Sequence, residues 1–210
     1  EEYYNILRKK RVSLVIKRIA DIVLSLVLIL VLLLPMEIIA VVVKATSSGP
    51  IIFRQTRITT GAKEFKILKF RTMVNKQDKN SSQVTLSNDA RVTKCGAFLR
   101  KYRLDELPQL FNVLLGQMSF VGTRPEVPKY VRAYTPEMYA TLLMPAGITS
   151  LASITYKDES EFLKSGNADD DYINVLLPKK MELNLEYIKR FSVLSDIRIM
   201  IKTVTGVAFG

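Results

Sequence analysis

The chain has 210 residues, a formal net charge of +11 and a pI near 9.7, so we expect a polyanionic partner: nucleic acid, anionic lipid head groups or phosphorylated small molecules. The absence of histidine excludes Ser–His and Cys–His nucleophile pairs and nearly all histidine-ligated zinc sites. A single cysteine, Cys95, excludes a disulfide within the chain. Any chemistry must therefore use carboxylates, hydroxyls, Lys or Arg, with or without a hard metal ion.

The first predicted element is an apolar segment that belongs in lipid. Residues 22–36 carry no charge, and apolar residues resume at 38–43 after Glu37. About 20 apolar residues suffice to cross a bilayer. Basic residues flank both ends of the segment, namely Arg8, Lys9, Lys10, Arg11, Lys17 and Arg18 before it and Lys44 after it.

Two arrangements of this segment in the membrane are open. A spanning helix would leave Pro35 deep in the hydrocarbon and would carry the basic remainder of the chain across the membrane. A re-entrant helix would bend at Pro35 and return to the same face. Positive charge at both ends favours the re-entrant arrangement, which is our expectation, because basic residues are retained on the cytoplasmic side.

The rest of the chain is predicted to be mainly helical, with a small β-hairpin. Residues 51–53 and 65–70 read as strands joined near Gly61, and the polar stretch 75–88 reads as a surface loop. Apolar spacing predicts helices from Leu104 to Gly116, around 181–191, and from a cap at Asp196 toward Gly206. We expect a membrane-associated protein with two parts: a basic segment and re-entrant membrane helix at 1–45, and a catalytic domain with interfacial amphipathic helices at 46–210.

The stretch from Arg100 to Glu126 carries the candidate chemistry. Asp105 and Glu106 are adjacent, and Arg100, Arg103 and Arg124 lie on either side of them. Acidic residues at a helix start commonly act only as caps. A diphosphate site, however, needs cations, and a carboxylate can attack phosphorus once the charge of the substrate is neutralised. Its neighbour can hold a hard cation. The pair is therefore a candidate nucleophile and metal holder.

The same stretch resembles the bacterial sugar transferases, the monotopic polyprenyl-phosphate phosphoglycosyl transferases, and the resemblance spans nearly the whole chain. It rests on several motifs in order: Lys17-Arg18 with Asp21, residues 49–55 with Arg57, residues 69–73 (Lys-Phe-Arg-Thr-Met), Asp89 with Arg91 and Thr93, residues 104–116, residues 118–125, and residues 145–149. Each motif is weak alone. Their number and order make the resemblance specific.

The resemblance implies a two-step reaction. Asp105 would attack the β-phosphate of a UDP-sugar and release UMP, and polyprenyl (undecaprenyl) phosphate would then take the phosphosugar from the enzyme. Glu106, with Asp105, would bind Mg²⁺, Arg100 and Arg124 would hold phosphate groups, and Pro125 would shape the loop. Such a protein would work at the cytoplasmic face of the bacterial inner membrane, without nucleic acid, in a polysaccharide or glycoconjugate pathway.

Three further candidates for substrate binding are less determined by the sequence. Lys69 and Arg71 lie at the second predicted strand. Their side chains could either contact a phosphate or lie in solvent at the strand edge. Lys157 falls about where relatives carry an arginine at the nucleotide. The sequence is also compatible with a homo-oligomer, but it does not specify an oligomeric state.

This sequence departs from the family pattern at several positions. Leu34 precedes Pro35 where a serine is usual, and Arg103 stands two residues before Asp105 in place of a serine. Ala146 is inserted in the Pro-Gly-Ile-Thr motif. Two other functions remain open: a membrane adaptor whose basic face holds nucleic acid or anionic lipid, and a phosphohydrolase in which water replaces the lipid acceptor.

Overall fold

The computed structural model describes residues 1–74, 89, 91–157, 159–162 and 167–208. Helices predominate, as predicted. In chain order the elements are α1 (Glu2–Lys9), α2 (Arg11–Thr46), β1 (Ile52–Thr59), β2 (Lys63–Phe70), α3 (Lys94–Lys101), α4 (Gln109–Leu114), β3 (Met118–Val121), α5 (Pro128–Val131), β4 (Ala146–Thr149), α6 (Leu151–Thr155), α7 (Ala168–Asp171), α8 (Leu177–Arg190) and α9 (Val193–Ala208).

The predicted hairpin is confirmed, but its first strand is longer than expected. β1 and β2 pair antiparallel, with Ile52 opposite Phe70 and Thr59 opposite Lys63. The prediction ended the first strand at residue 53 because the next four residues are polar or charged. Strand pairing over the full hairpin satisfies their backbone groups, and one face of the hairpin stays accessible to polar side chains.

A second sheet was not predicted from the sequence. β3 and β4 form a parallel pair, with Ser119 opposite Gly147. Strands of four residues are too short to give an alternating pattern. The backbones meet closely just beyond β3: a Cβ on Gly147 would lie 2.2 Å from the amide nitrogen of Gly122. Only glycine permits this approach, which fixes the start of the loop that carries Arg124.

The core lies around α8. Met181 and Ile188, two turns apart on this helix, are each 1% exposed and belong to two different apolar clusters. Tyr3 and Leu7 of α1 belong to the same cluster as Ile188. The start of the chain therefore packs into the core of the following part, and the domain division at residue 45 stays a prediction.

α2 is the membrane candidate. It is 36 residues long, its most apolar window has a mean hydropathy of 3.1, and most of that window is exposed. By length and composition it could cross a membrane. Pro35 lies inside the helix and is exposed, as is Glu37. Pro35 cannot donate the hydrogen bond that continues the helix, so it weakens α2 at this point.

The start of α2 is tied to the domain by buried polar contacts. Lys17 donates to the carbonyl of Val121 at 2.8 Å and to Asp196 at 2.6 Å. Tyr187 also donates to Asp196, at 2.7 Å. Four residues after Lys17, Asp21 lies on the same helix face and accepts from the backbone of Phe120.

The prediction that Asp196 caps the last helix is wrong. Asp196 lies in the first turn of α9, where its carboxylate serves Lys17 and Tyr187. The cap is instead formed by Ser192 and Ser195, each of whose hydroxyls accepts from the other's backbone amide at 3.1 Å. Asp196 can take this different role because serine hydroxyls already satisfy the amides at the helix start.

The other end of α2 is held by Arg71. Its guanidinium donates to the carbonyls of Val43 and Ser47, at 3.2 Å and 2.5 Å, and also to that of Pro50. These are carbonyls that a helix C-terminus leaves unpaired, and a cation there is favourable. Both ends of the apolar helix therefore contact the same domain.

Candidate active site

Asp105 and Glu106 lie on a short 3₁₀ turn, Leu104–Glu106, between α3 and α4. Arg103, the residue before this turn, has a φ of 54°, in the left-handed region that non-glycine residues seldom adopt. This conformation reverses the chain after α3. Both carboxylates are buried, each residue being 7% exposed. They precede α4 rather than forming its first turn.

Glu106 is paired with two cations from distant parts of the chain. Its Oε1 accepts from Nζ of Lys69 on β2 at 2.7 Å and from Nη2 of Arg124 at 3.0 Å. Burial alone would raise the pKa of Glu106, but the charges of Lys69 and Arg124 outweigh burial and lower it. Glu106 is therefore ionised at neutral pH. In turn, its charge raises the pKa of Arg124.

Asp105 has a different environment from its neighbour. Among the described residues its carboxylate makes no hydrogen bond. Burial raises its pKa, while the charge of Lys69 acts in the opposite direction. Two adjacent carboxylates thus differ: Glu106 is ionised and held, and Asp105 is desolvated and unengaged. An unengaged, desolvated carboxylate is suited to act as a nucleophile.

Arg100 reaches the site from the last turn of α3. Its Nε donates to the hydroxyl of Thr72 at 2.8 Å, and its charge acts on Asp105. α3 packs tightly on the same segment: a Cβ on Gly96 would lie 2.0 Å from the carbonyl oxygen of Thr72. Thr93 caps the helix by accepting from the amide of Gly96. The start of α3 is therefore fixed against the residues that follow β2.

Arg124 lies on a loop whose backbone is anchored on both sides. Before it, the carbonyl of Thr123 accepts from the amide of Gly147 at 2.9 Å. After it, the carbonyl of buried Pro125 accepts from Arg57 of β1 at 3.0 Å. The role of Pro125 in shaping the loop stays a prediction. The guanidinium itself is partly exposed, with 31% of its side chain accessible.

Two predicted binding residues lie outside this cluster. Arg71 is directed to the end of α2, where all three of its guanidinium nitrogens donate to Val43, Ser47 or Pro50. Lys157 is exposed, and its amine lies 3.5 Å from the carbonyl of Gly206 in α9. The described contacts bring neither residue to Asp105 or Glu106.

Arg91, from the motif that contains Asp89, Arg91 and Thr93, forms a local ion pair. It donates to both carboxylate oxygens of Asp89, with a closest distance of 2.6 Å. These hydrogen bonds lower the pKa of Asp89 to about 2. The predicted loop at 75–88 lies outside the described residues.

Sequence reasoning missed the residues that support the site. Thr72 positions Arg100, and Gln55 accepts from two nitrogens of Arg57. Both lie in motifs that the sequence analysis noted, but a motif does not distinguish a supporting residue from one that binds substrate. Glu126 and Tyr172, which are hydrogen bonded to each other in the interior, had no such signal.

The cluster has an excess of positive charge. Lys69, Arg100 and Arg124 surround the two carboxylates, so the site favours an anionic ligand. In the described part of the chain, no group of three or more acidic or sulfur side chains could hold a metal alone. Mg²⁺, however, is commonly bound by one or two carboxylates together with substrate phosphates and water. The unengaged oxygens of Asp105 and Oε2 of Glu106 fit such a shared site.

The fold and the site thus combine a buried acid pair among cations with an apolar helix that is a candidate membrane span. The chain belongs to the bacterial sugar transferase family, whose model matches residues 12–210. The family resemblance found in the sequence is thereby confirmed.

Curated relatives cover most of this chain. It is 39% identical over 198 residues to the UDP-glucose:undecaprenyl-phosphate glucose-1-phosphate transferase of Klebsiella pneumoniae, covering 92% of this chain and 40% of that protein. It is 37% identical to the UDP-N-acetylgalactosamine-undecaprenyl-phosphate N-acetylgalactosaminephosphotransferase of Aeromonas hydrophila, covering 81% and 38%. The chain thus spans about 40% of the length of these two relatives. It is 34% identical to the exopolysaccharide production protein PSS of Rhizobium leguminosarum bv. phaseoli, covering 92% and 96%.

Proposed function

We propose that this protein transfers a sugar 1-phosphate from a UDP-sugar to undecaprenyl phosphate. The observation that carries the proposal is the contrast within the acid pair: Glu106 is held by Lys69 and Arg124, whereas Asp105 is buried and makes no hydrogen bond among the described residues. The names of the curated relatives supply the donor and acceptor classes. The reaction would be an early membrane step in the synthesis of a polysaccharide or glycoconjugate.

The first step uses Asp105 as the nucleophile. A carboxylate oxygen forms a bond to the β-phosphorus of the donor, and the bond from that phosphorus to the oxygen bridging to the α-phosphate breaks, so UMP leaves. Arg124, Arg100 and Lys69 stabilise the negative charge that shifts to the bridging oxygen. In the second step an oxygen of undecaprenyl phosphate attacks the same phosphorus, and the Asp105 carboxylate is regenerated.

Mg²⁺ is part of the proposal. Asp105 and Glu106 would hold the ion through the oxygens described above, with donor phosphates completing its ligands. When bound, the ion neutralises phosphate charge and lowers the repulsion between the donor and the nucleophile. The protein's own cations do not make the ion redundant, because Lys69 and Arg124 are already shared with Glu106.

For the membrane, we propose a re-entrant α2 that keeps the domain on the cytoplasmic face of the inner membrane. In a simple spanning arrangement, a domain that follows the helix in sequence contacts only the C-terminal end of that helix. Here the domain contacts Lys17 near the first end and Val43 near the second. UDP-sugars are made in the cytoplasm, which favours the cytoplasmic face.

The proposal is tested with purified protein in detergent or nanodiscs, Mg²⁺, and UDP-glucose or UDP-N-acetylgalactosamine. We expect release of UMP before any lipid is added, in an amount comparable to that of the protein, and a protein mass increased by one sugar phosphate. Added undecaprenyl phosphate should carry label from the sugar phosphate into the lipid phase. Label that appears only in water would favour a phosphohydrolase, and no UMP release with any UDP-sugar would contradict the proposal.

The raised pKa of Asp105 predicts an acidic limb in the pH dependence of UMP release. The nucleophile must be ionised, so the rate falls as pH drops through its pKa. An ordinary aspartate loses its charge near pH 3.9, and burial moves this loss to higher pH. We therefore expect the limb above pH 4 in a single-turnover measurement. A rate that is constant down to pH 4, in protein that stays folded, would contradict the assignment.

A further inference from the structure

Behind the loop of Arg124 lies a buried carboxylate that the proposed reaction does not use. Glu126 is 6% exposed. Its Oε1 accepts a hydrogen bond from the hydroxyl of Tyr172, and its Oε2 lies 3.9 Å from Nη1 of Arg57. Burying a carboxylate costs free energy unless it is paired and hydrogen bonded. Tyr172 and Arg57 are the groups that offset this cost for Glu126.

Arg57 connects this carboxylate to the backbone of the Arg124 loop. Its Nη1 donates to the carbonyl of Pro125, while Nε and Nη2 both donate to Gln55. All three nitrogens of the guanidinium thus have a partner. On the neighbouring residue of β1, the amide of Ile58 donates to the carbonyl of Glu126 at 3.0 Å. Arg57 therefore holds the backbone directly after Arg124 instead of offering its charge to a ligand.

Tyr172 is itself held in one orientation. Its ring stacks on Tyr130 with a centroid distance of 4.6 Å, and Nζ of Lys180 lies 5.0 Å from its centroid. Tyr172 begins a π-helical turn, Tyr172–Leu176, of a kind often found at functional sites. The hydroxyl is thereby aimed at Glu126. The contacts form a continuous path from Tyr172 through Glu126 and Arg57 to Pro125, next to Arg124.

We infer that Tyr172 is a positioning residue for the phosphate-binding guanidinium of Arg124, acting through Glu126 and Arg57. The inference rests on the proposed function, because it assumes that Arg124 binds the donor diphosphate. Tyr172 orients the Glu126 carboxylate, this carboxylate orients Arg57, and Arg57 fixes the carbonyl of Pro125. Within the described part of the chain, the guanidinium of Arg124 makes one hydrogen bond, to Glu106, so its remaining donors are aimed by this backbone.

The test removes a single oxygen atom. Tyr172→Phe keeps the stack on Tyr130 but loses the hydrogen bond to Glu126. We expect kcat for UMP release to fall roughly tenfold, as loss of one hydrogen bond to a charged group predicts. KM for the UDP-sugar should change less, because misplaced charge affects the transition state most.

The matched control is Tyr130→Phe, in the same aromatic stack. The hydroxyl of Tyr130 donates to Asp169 rather than to Glu126. Both variants lose one buried hydroxyl and keep both rings, so a general loss of packing affects them alike. We expect Tyr130→Phe to retain kcat within about twofold, and equal losses of kcat in the two variants would overturn the inference.

A double-mutant cycle separates positioning from a structural role. In an Arg124→Lys background no guanidinium remains to be aimed, so Tyr172→Phe should lower kcat much less than in the wild type. An undiminished loss overturns the inference.

If the wild type releases no UMP, the proposed function fails, and the thermal shift caused by inorganic pyrophosphate still tests the positioning. A smaller shift in Tyr172→Phe than in Tyr130→Phe supports it, and equal shifts overturn it.

Discussion

Asp105→Asn should abolish UMP release and the sugar-phosphate adduct while leaving the protein folded. Asparagine is nearly the same size, so the buried turn can keep its shape, but the amide oxygen cannot form an acyl phosphate. Because the carboxylate makes no hydrogen bond with the described residues, its replacement breaks no hydrogen bond there. We expect single-turnover UMP release to fall on the order of 10⁴-fold or more, as for loss of other enzyme nucleophiles.

Asp170→Asn is a suitable control for this variant. Asp170 is exposed and its side chain is hydrogen bonded to Asn167, and the substitution makes the same change in charge. It should release UMP at the wild-type rate. Turnover retained in Asp105→Asn, or an adduct mapped by peptide mass analysis to another residue, would remove Asp105 from its assigned role.

The second large effect is expected for Glu106→Gln. The substitution removes the negative charge that holds Lys69 and Arg124 together and leaves two like charges close to each other. In the wild type, burial lowers the pKa of Lys69 and the charge of Arg124 adds to this lowering, while the charge of Glu106 opposes both. Removing one partner of a buried pair costs about 3–5 kcal/mol, and partial exposure of Lys69 and Arg124 reduces this to about 2–3 kcal/mol.

Activity should also fall in Glu106→Gln, by roughly 100-fold or more, because both cations lose their orientation and a metal ligand is weakened. Thermal unfolding and UMP release at several Mg²⁺ concentrations measure the two effects. Glu186→Gln is the control: Glu186 forms an exposed pair with Arg190, and such pairs contribute less than about 1 kcal/mol. Equal unfolding temperatures and equal activities in the two variants would show that Glu106 does not organise the site.

The acid pair could be singled out as a candidate site because its signal is local. Asp105 and Glu106 are adjacent, and Arg100 and Arg124 lie in the same motif-rich stretch. The helical class and the hairpin also follow from local apolar spacing. The parallel pairing of β3 with β4 does not, since it joins short segments far apart in sequence.

Arg71 shows why a motif alone misleads. Lys69 and Arg71 are two residues apart, and alternation along a strand would place both side chains on one face. β2 ends at Phe70, however, so Arg71 lies outside the pleat and turns to the end of α2.

The position of Tyr172 could not be predicted from the sequence for a different reason. Its role depends on a contact with Glu126, 46 residues earlier in the chain.

The attachment of α2 at both Lys17 and Val43 has a mechanical consequence. A lone membrane helix can adapt to a thicker or thinner bilayer by changing its own tilt. Here such a tilt would break a buried ion pair at one end or the contacts of Arg71 at the other. With α2 in the bilayer as we propose, a change in lipid thickness must therefore be met by rocking the whole protein or by deforming the surrounding lipid. The height of the acid pair relative to the lipid surface is then set by the fold.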